Sequence, residues 1–219
     1  MILVKPGFTI ETQINHSILR NIERFGRTCY KSEKKTSTFE ECAAFVERLI
    51  KNGHESVLEH EKITVKIICD RGVSHELVRH RIASYSMEST RYCNYEKQGH
   101  VTFVIPSWLN MREGEYKTIE DISYERVGIL WRYAMLRSER SYLGLLKQGW
   151  TPQQARSVLP NSLKTEIVVT MNLRQWRYFF KVRALGVSGK PHPQMLEITI
   201  PMLKEFQKLL PEVFGDLIV

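Results

Sequence analysis

Two stretches that alternate β-branched with other residues, 62–69 and 163–172, constrain the fold of this chain most. The alternation of 62–69 and the β-branched middle of 163–172 are both typical of strands. A helical pattern follows each of them, GVSHELVRHR after the first and LRQWRYFFKVRAL after the second. The sequence therefore predicts a mixed α/β fold in which strands lead into helices.

The remaining elements are predicted from caps, turns and apolar spacing. Thr38 is predicted to be the N-cap of a helix, with Glu41 at its third position. Pro152 is predicted to occupy the first position of another helix. Further strands are predicted at 2–12 and 101–106, and further helices at 14–25, 119–146 and 193–210. Because no repeat, low-complexity tract or linker divides the chain, we expect a single domain over residues 1–219.

The composition bounds the class of protein. The 219 residues are 42% hydrophobic, which is enough for a core without disulfides. No run of about 18 apolar residues is present, which excludes a transmembrane helix, and the N-terminus lacks the pattern of a secretory signal. Four cysteines without a CxxC pair are typical of free thiols in a reducing compartment. We therefore expect a cytoplasmic protein that has no membrane partner.

The net charge of +8 predicts an anionic partner. Most arginines are single and lie among apolar residues, as in LVRHRIASY and NLRQWRYFFKVRAL. Arginine in such a setting more often binds phosphate or carboxylate in a pocket than covers a surface. Small phosphorylated ligands are therefore favoured over a nucleic acid.

The segment RHRIASYSMESTRY combines cations with short hydroxyl side chains. Its Arg79-His80-Arg81 run is followed by Ser86, Ser89, Thr90 and Arg91. Hydroxyls and arginine on an irregular backbone form a suitable cradle for phosphate. The alternative is a solvated basic helix end followed by a polar loop.

The same segment resembles the signature of the flavin-dependent thymidylate synthases. Arg-His-Arg is followed after seven residues by Ser89, and the segment continues into Thr90-Arg91-Tyr92. Other parts of the chain resemble that family in the same order, namely Gly53-His54-Glu55, Glu59-His60, Ala155-Arg156, Leu159-Pro160, Asn172-Leu173-Arg174, Arg183, His192 and Gln194. The resemblance extends from about residue 27 to about residue 200.

The resemblance implies a fold, a reaction and partners. It implies an α+β domain with a central antiparallel-type sheet flanked by helices. It implies reductive methylation of dUMP to dTMP, with methylenetetrahydrofolate as carbon donor and reduced FAD, recharged by NADPH, as hydride donor. It also implies a homotetramer with shared active sites.

The resemblance assigns roles to single residues. Arg183 is expected to face the uracil and to stabilise negative charge on it, a role that needs no change of protonation; alternatively, it is a helix-end arginine that binds carbonyl groups. The residues expected to bind dUMP are Glu76, Arg79, Met87, Glu88, Ser89, Thr90, Arg91, Arg156 and Arg183. The residues expected to bind the cofactor are Ser56, Arg79, His80, Arg81, Met87, Asn172, Arg174, Tyr178 and His192.

One position inside the signature departs from the family. Met87 stands where the family more often has Glu or Gln, and its thioether is only a weak acceptor. Residue identity also varies in the family at Glu76 and Tyr178.

Two other functions remain open from the residues alone. A metal-dependent hydrolase is suggested by His54, His60, His75 and His80, although their spacing matches no known ligand set. A nucleic-acid-binding module is suggested by the charge and by the aromatic residues of 176–180, whose helical spacing is more typical of a core.

Overall fold

The computed structural model describes residues 1–34, 36–118 and 126–218. Its helices are α1 Ser17–Thr28, α2 Phe39–Lys51, α3 Arg71–Leu77, α4 Arg126–Lys147, α5 Pro152–Ala155, α6 Leu173–Arg183, α7 Pro193–Leu209 and α8 Pro211–Phe214. Its strands are β1 Ile2–Val4, β2 Gly7–Ile10, β3 Lys62–Asp70, β4 Ser84–Met87, β5 Thr102–Val104, β6 Gly114–Glu115 and β7 Lys164–Asn172. Short 3-10 helices span Glu55–His60, Tyr95–Gln98 and Arg156–Val158.

The strands form two sheets, where the resemblance implied a single central sheet. One sheet has the order β5-β1-β6, with β1 parallel to β5 and antiparallel to β6. The other has the order β2-β3-β7-β4. The mixed α+β prediction is confirmed, and the parallel β1–β5 pair departs from a purely antiparallel arrangement.

The chain divides into two compact units, each assembled from separated segments. The first unit comprises residues 1–7, 67–79 and 86–168, and the second comprises residues 8–66, 80–85 and 169–219. The single domain over 1–219 stays a prediction.

The core of the first unit is formed by strands and helix α4. Leu3 of β1, Phe103 of β5 and Leu136 and Tyr142 of α4 are buried in one apolar cluster. Burying such large side chains is the main favourable term in forming this unit.

The core of the second unit is aromatic. Trp176 and Phe180 of α6, Phe206 of α7 and Phe214 of α8 are fully buried. Their ring centroids lie 5.1 to 5.9 Å apart, within the range of favourable aromatic pairs. The helical spacing of the aromatics in 176–180 thus serves mainly to form a core.

The buried side chain of Arg177 holds the C-terminal end of the second unit through two carboxylates. Arg177 donates to both carboxylate oxygens of Asp216, at 2.6 and 2.8 Å, and lies 3.1 Å from Glu55. The hydrogen bonds from Arg177 lower the pKa of Asp216. Because Arg177 is almost fully buried, loss of these carboxylates would leave its charge uncompensated.

The two strand-to-helix transitions predicted from the sequence are both present. The Asp70 carboxylate accepts from the backbone N–H of Val73 at 2.7 Å and caps α3, directly after β3. The Asn172 Oδ1 accepts from the N–H of Gln175 at 2.8 Å and caps α6, directly after β7. Each cap satisfies a backbone donor that the first turn of a helix leaves unpaired.

Two predicted elements differ in their bounds from those of the structure, and part of a third is outside the described residues. The helical pattern of GVSHELVRHR was read too long, because α3 ends at Leu77. The opening strand over 2–12 is wrong as a single element, because two strands, β1 and β2, occupy it. The start of the long helix, 119–125, lies outside the described residues.

Other predictions are confirmed. Thr38 and Glu41 form a capping box, with reciprocal bonds of 3.1 and 3.3 Å. Pro152 occupies the first turn of α5. No helix in the described part of the chain is long and apolar enough to cross a membrane.

Candidate active site

The first unit contains a cavity of ≈ 260 Å³ that is lined by cationic and polar side chains. The lining residues are Arg71, His75, Thr90, Arg156, Ser157, Leu159, Pro160, Asn161 and Leu163. No described carboxylate is among them. A cavity with this lining suits an anionic ligand, because its donors have no acidic competitor in the wall.

Helix α3 positions two of these side chains. Arg71 is its first residue, and its backbone N–H donates to the carbonyls of Asn161 and Leu163, at 2.9 and 3.1 Å. His75 follows four residues later and therefore lies on the same face of the helix. The Asp70 cap thus fixes the place from which both side chains extend.

A tight turn of the signature forms another wall. The carbonyl of Ser89 accepts from the N–H groups of Tyr92 and Cys93, at 3.1 and 2.9 Å, and its hydroxyl accepts from the N–H of Arg91 at 3.3 Å. Thr90 is buried, and its hydroxyl accepts from Arg156 Nη1 at 3.1 Å. This bond orients the Arg156 guanidinium at the cavity.

Glu88 of the signature faces a polar cluster within the same unit. Its carboxylate accepts from Tyr95 Oη at 2.8 Å and from Lys164 Nζ at 3.3 Å. Lys164 also donates to Glu166 at 2.5 Å. Burial, together with the charge of Glu88, raises the pKa of Tyr95, so its hydroxyl remains a donor. The hydrogen bonds of the Glu88 side chain therefore stabilise the signature turn.

The second unit contains two cavities that share a wall. One, of ≈ 450 Å³, is lined by Glu55, Glu59, Ile82, Asn172, Arg174, Gln175, Tyr178 and Lys181. The other, of ≈ 320 Å³, is lined by Gly26, Cys29, Tyr30, Leu49, Gly53, His54, Glu55, Ser56, Val57 and Arg174. Glu55 and Arg174 line both, so an extended ligand can contact Arg174 from either side.

The larger cavity mixes charged groups with exposed apolar surface. Arg174 Nη1 donates to Glu59 at 2.5 Å, and both side chains are about half exposed. The Tyr178 ring is 55% exposed. Asn172 uses Oδ1 to cap α6, which leaves its Nδ2 as a donor for a ligand. Such a lining suits a ligand that has both planar rings and anionic groups.

Arg183 is the last residue of α6, and it is held by a histidine of the signature. Its Nε donates to His80 Nε2 at 3.1 Å, and its carbonyl accepts from the Thr199 hydroxyl at 2.8 Å. Burial, and next the charge of Arg183, lowers the pKa of His80 from 6.5 to about 4. His80 is therefore neutral near pH 7, as an acceptor at Nε2 must be. The ring also packs edge-on against Phe179, at 5.0 Å between centroids.

The comparisons with known proteins decide the family. A family model described as "Thymidylate synthase complementing protein" matches residues 13–212. A flavin-dependent thymidylate synthase of Pyrococcus abyssi is 34% identical over 186 residues, which are 82% of this chain and 70% of that protein. The chain belongs to the flavin-dependent thymidylate synthase family.

Other members of the flavin-dependent thymidylate synthase family match it as widely. The Geobacter sulfurreducens protein is 32% identical over 198 residues, covering 87% of this chain and 78% of its own. Among solved structures, the UMP/dUMP methylase PolB of Streptomyces cacaoi, bound with 5-Br dUMP, has a TM-score of 0.76. It covers 98% of this chain and 96% of its own at 22% identity, so it shows a shared fold.

The structure groups part of the site that the resemblance to flavin-dependent thymidylate synthases implied. Of the residues expected to bind dUMP, Thr90 and Arg156 line the cavity of the first unit. Of those expected to bind the flavin, Asn172, Arg174 and Tyr178 line the larger cavity of the second unit. Ser56 lines the smaller one.

The other expected residues lie outside the lining of these three cavities. Ser89 and Glu88 shape the signature turn, and His80 holds Arg183. Exposed side chains are those of Arg79, Arg81, Met87, Arg91 and His192. Glu76 is half-buried on α3, and Arg183 is half-buried at the end of α6. Their binding roles stay predictions.

Sequence reasoning missed several lining residues. In the first unit these are Arg71, His75 and Asn161. Arg71 precedes the predicted helix GVSHELVRHR by one residue, and its spacing of four from His75 is the signal that could have found both. In the second unit, Lys181 was missed, although Glu55 belongs to the Gly53-His54-Glu55 segment that resembles the family.

The metal alternative has little in the structure to support it. In the described ranges, no three His, Cys, Asp or Glu side chains form a group that could hold a metal ion. Of the four histidines that suggested it, His75 lines the first-unit cavity and His80 bonds to Arg183.

Proposed function

We propose that the chain converts dUMP to dTMP by reductive methylation, with methylenetetrahydrofolate as carbon donor. FAD, reduced by NADPH, supplies the hydride when it is bound. The family assignment supports the reaction type, and the arrangement of cations in the two units supports the ligands. The observation that carries the proposal is the first-unit cavity, where Arg156 and Thr90 meet without a described carboxylate.

The nucleotide is proposed to bind with its phosphate in that cavity. Arg156 and Thr90 of the cavity wall supply a charge-assisted hydrogen bond and a hydroxyl, and Arg91 and Ser89 of the adjoining signature turn are proposed to complete the phosphate site. Ser89 binds and is not a nucleophile, because its hydroxyl already accepts from the N–H of Arg91 and the sequence fixes no base beside it. The same proposal gives sugar or base contacts to Glu76, Arg79, Met87 and Glu88.

The second unit fits FAD by the chemistry of its donors. Arg174 and Lys181 are cations that match a pyrophosphate, and Ser56 and Asn172 are neutral donors. The exposed faces of Tyr178 and Ile82 match planar rings. We propose that these residues bind the cofactor, together with Arg79, His80, Arg81, Met87 and His192.

Arg183 is proposed to stabilise negative charge on the pyrimidine. Its Nε donates to neutral His80, and this bond sets the direction of the guanidinium. A preorganised guanidinium of this kind is worth about 3 kcal/mol or more to a transition state. It needs no proton transfer, since arginine stays protonated at physiological pH.

We propose a cytoplasmic homotetramer with sites shared between chains, and without nucleic-acid or membrane partners. Light scattering coupled to size exclusion would test the assembly. A monomer that is fully active at assay concentration would contradict it.

The function itself is tested by the spectrum of the purified protein and by product analysis. We expect the absorbance of oxidised flavin, bleached by NADPH, and dTMP formed only when methylenetetrahydrofolate and dUMP are both supplied. A colourless protein that cannot be reconstituted with FAD, or one that makes no dTMP, would overturn the proposal. Metal analysis of the same preparation separates it from the hydrolase alternative, which requires stoichiometric zinc.

A further inference from the structure

We propose that Arg71 and His75 bind the substrate's phosphate in the first-unit cavity, and that Met87 keeps the charge of Arg71 available for it. This inference rests on the proposed function and adds two residues to its nucleotide site. It also assigns a role to the position where this chain departs from the family signature.

The geometry of Arg71 is that of a ligand-binding side chain. Its backbone is fixed by the bonds to the carbonyls of Asn161 and Leu163, and its side chain is half-buried in the wall of the cavity. Its Nη1 lies 3.8 Å from Met87 Sδ. Over residues 1–34, 36–118 and 126–218, the structure gives Arg71 no ion pair.

The identity of residue 87 decides what Arg71 can do. A thioether is a weak acceptor without charge, so Met87 contacts the guanidinium and leaves its charge uncompensated. A carboxylate at the same place would lie within reach of an ion pair with Arg71. Such a pair would compete with the phosphate for the guanidinium, because each prefers the same planar pair of donors.

The cavity gathers donors from three segments of the first unit. Helix α3 supplies Arg71 and His75, the signature turn supplies Thr90, and the segment after α5 supplies Arg156. A phosphate dianion needs more positive charge than one arginine provides. Two arginines, with a histidine one helical turn away, meet that requirement within ≈ 260 Å³.

The first experiment compares dUMP with deoxyuridine, which lacks the phosphate. Calorimetry on the FAD-loaded protein should show that Arg71→Ala weakens dUMP binding about 10- to 100-fold, the size of a lost charge-assisted hydrogen bond. The affinity for deoxyuridine should change less than about twofold. His75→Ala should also lower the affinity for dUMP and not that for deoxyuridine, by a smaller factor of about 3 to 10.

The second experiment isolates the charge at residue 87. Met87→Glu and Met87→Gln have nearly the same size and differ by one charge. We expect Met87→Glu to lower the affinity for dUMP at least about tenfold more than Met87→Gln does. In the Arg71→Ala background this difference should disappear, because the two residues act through one interaction.

The controls separate failure of this inference from failure of the proposed function. Arg140→Ala removes one exposed charge of the first unit outside the cavity and should leave dUMP affinity unchanged. Thermal melting and FAD content show whether each variant is folded. If the wild type neither binds dUMP nor makes dTMP, the proposed function fails. If the wild type does both and Arg71→Ala keeps its dUMP affinity within about twofold, or Met87→Glu binds dUMP more tightly than Met87→Gln, this inference is wrong.

Discussion

The two units of the molecule differ in how the arginines near their cavities are balanced. In the first unit, Arg71 contacts a thioether and Arg156 a hydroxyl. In the second, Arg174 is paired with Glu59 and Arg177 with Glu55 and Asp216.

This difference separates two kinds of anion site. A guanidinium whose protein partners are neutral offers its full charge to a ligand, whereas one held by a carboxylate must first exchange that partner. The first unit is therefore prepared for a compact dianion. The second suits a larger ligand, whose binding free energy can offset the loss of an ion pair.

The largest effect is expected at Arg183, whose Nε donates to the neutral ring of His80. Arg183→Ala should lower kcat by about 100-fold or more, because the charge that stabilises the pyrimidine is lost. FAD content and melting temperature should remain near those of the wild type. Steady-state dTMP formation measures the effect, and activity retained within about tenfold would assign the chemistry to another residue.

The next effect concerns the pH dependence of the second unit's stability. Because the pKa of His80 falls from 6.5 to about 4 on folding, the unfolded chain binds more protons between these values. The contribution of neutral His80 to the free energy of unfolding is therefore fully present above about pH 6.5. It is lost as the pH falls toward 4, by at most about 3 kcal/mol.

Urea unfolding at about pH 7 and about pH 5 measures this loss. His80→Gln, which keeps an acceptor and cannot titrate, should lose less stability over the same interval. Equal losses in the two proteins would show that His80 is not the titrating group.

A third effect tests the first unit directly. Arg156→Ala should weaken dUMP about 10- to 100-fold and leave FAD binding unchanged, since its guanidinium lines only the first-unit cavity among the three described here. Thr90→Val removes the hydroxyl that orients Arg156 and should lower the affinity for dUMP less than Arg156→Ala does. A loss of FAD with dUMP affinity intact would reverse the assignment of the two units.

The smallest effect comes from the carboxylate that balances Arg174. Glu59→Gln should tighten FAD binding by up to about fivefold, because a half-exposed ion pair is worth less than about 1 kcal/mol. Fluorescence titration of the apoprotein with FAD measures it, and the gain should shrink as salt is added. Weaker binding of FAD would mean that Glu59 itself contacts the cofactor.

The elements of this fold were largely predictable because their signals are local. Alternation predicted β3 and β7, and the caps at Asp70 and Asn172 begin the helices expected after them. The end of α3 was missed because His80 is buried against Phe179 and bonds to Arg183. These contacts are more than 90 residues away in sequence and override the local helical pattern.

In the candidate site, too, local motifs were predictable and contacts between distant residues were not. The resemblance to the family pointed to Thr90 and Arg156, but the contact of Arg71 with Met87 depends on how β4 and α3 are placed within the fold. The partner of Arg174 is 115 residues away, at Glu59, and no spacing rule reaches so far. The partners of these arginines were therefore the part of the site that could not be predicted from the sequence.

The cap of α6 restricts which amino acids evolution can place at residue 172. Under the proposed function, the side chain must accept from the N–H of Gln175, as Asp, Ser and Thr also do, and must present a donor to the cofactor in the larger cavity. Asp would keep the helix start and turn a negative group toward an anionic ligand, while Gln is too long for the cap. Under the proposed function, the amide of Asn172 therefore serves both helix initiation and cofactor binding, and a substitution there affects both.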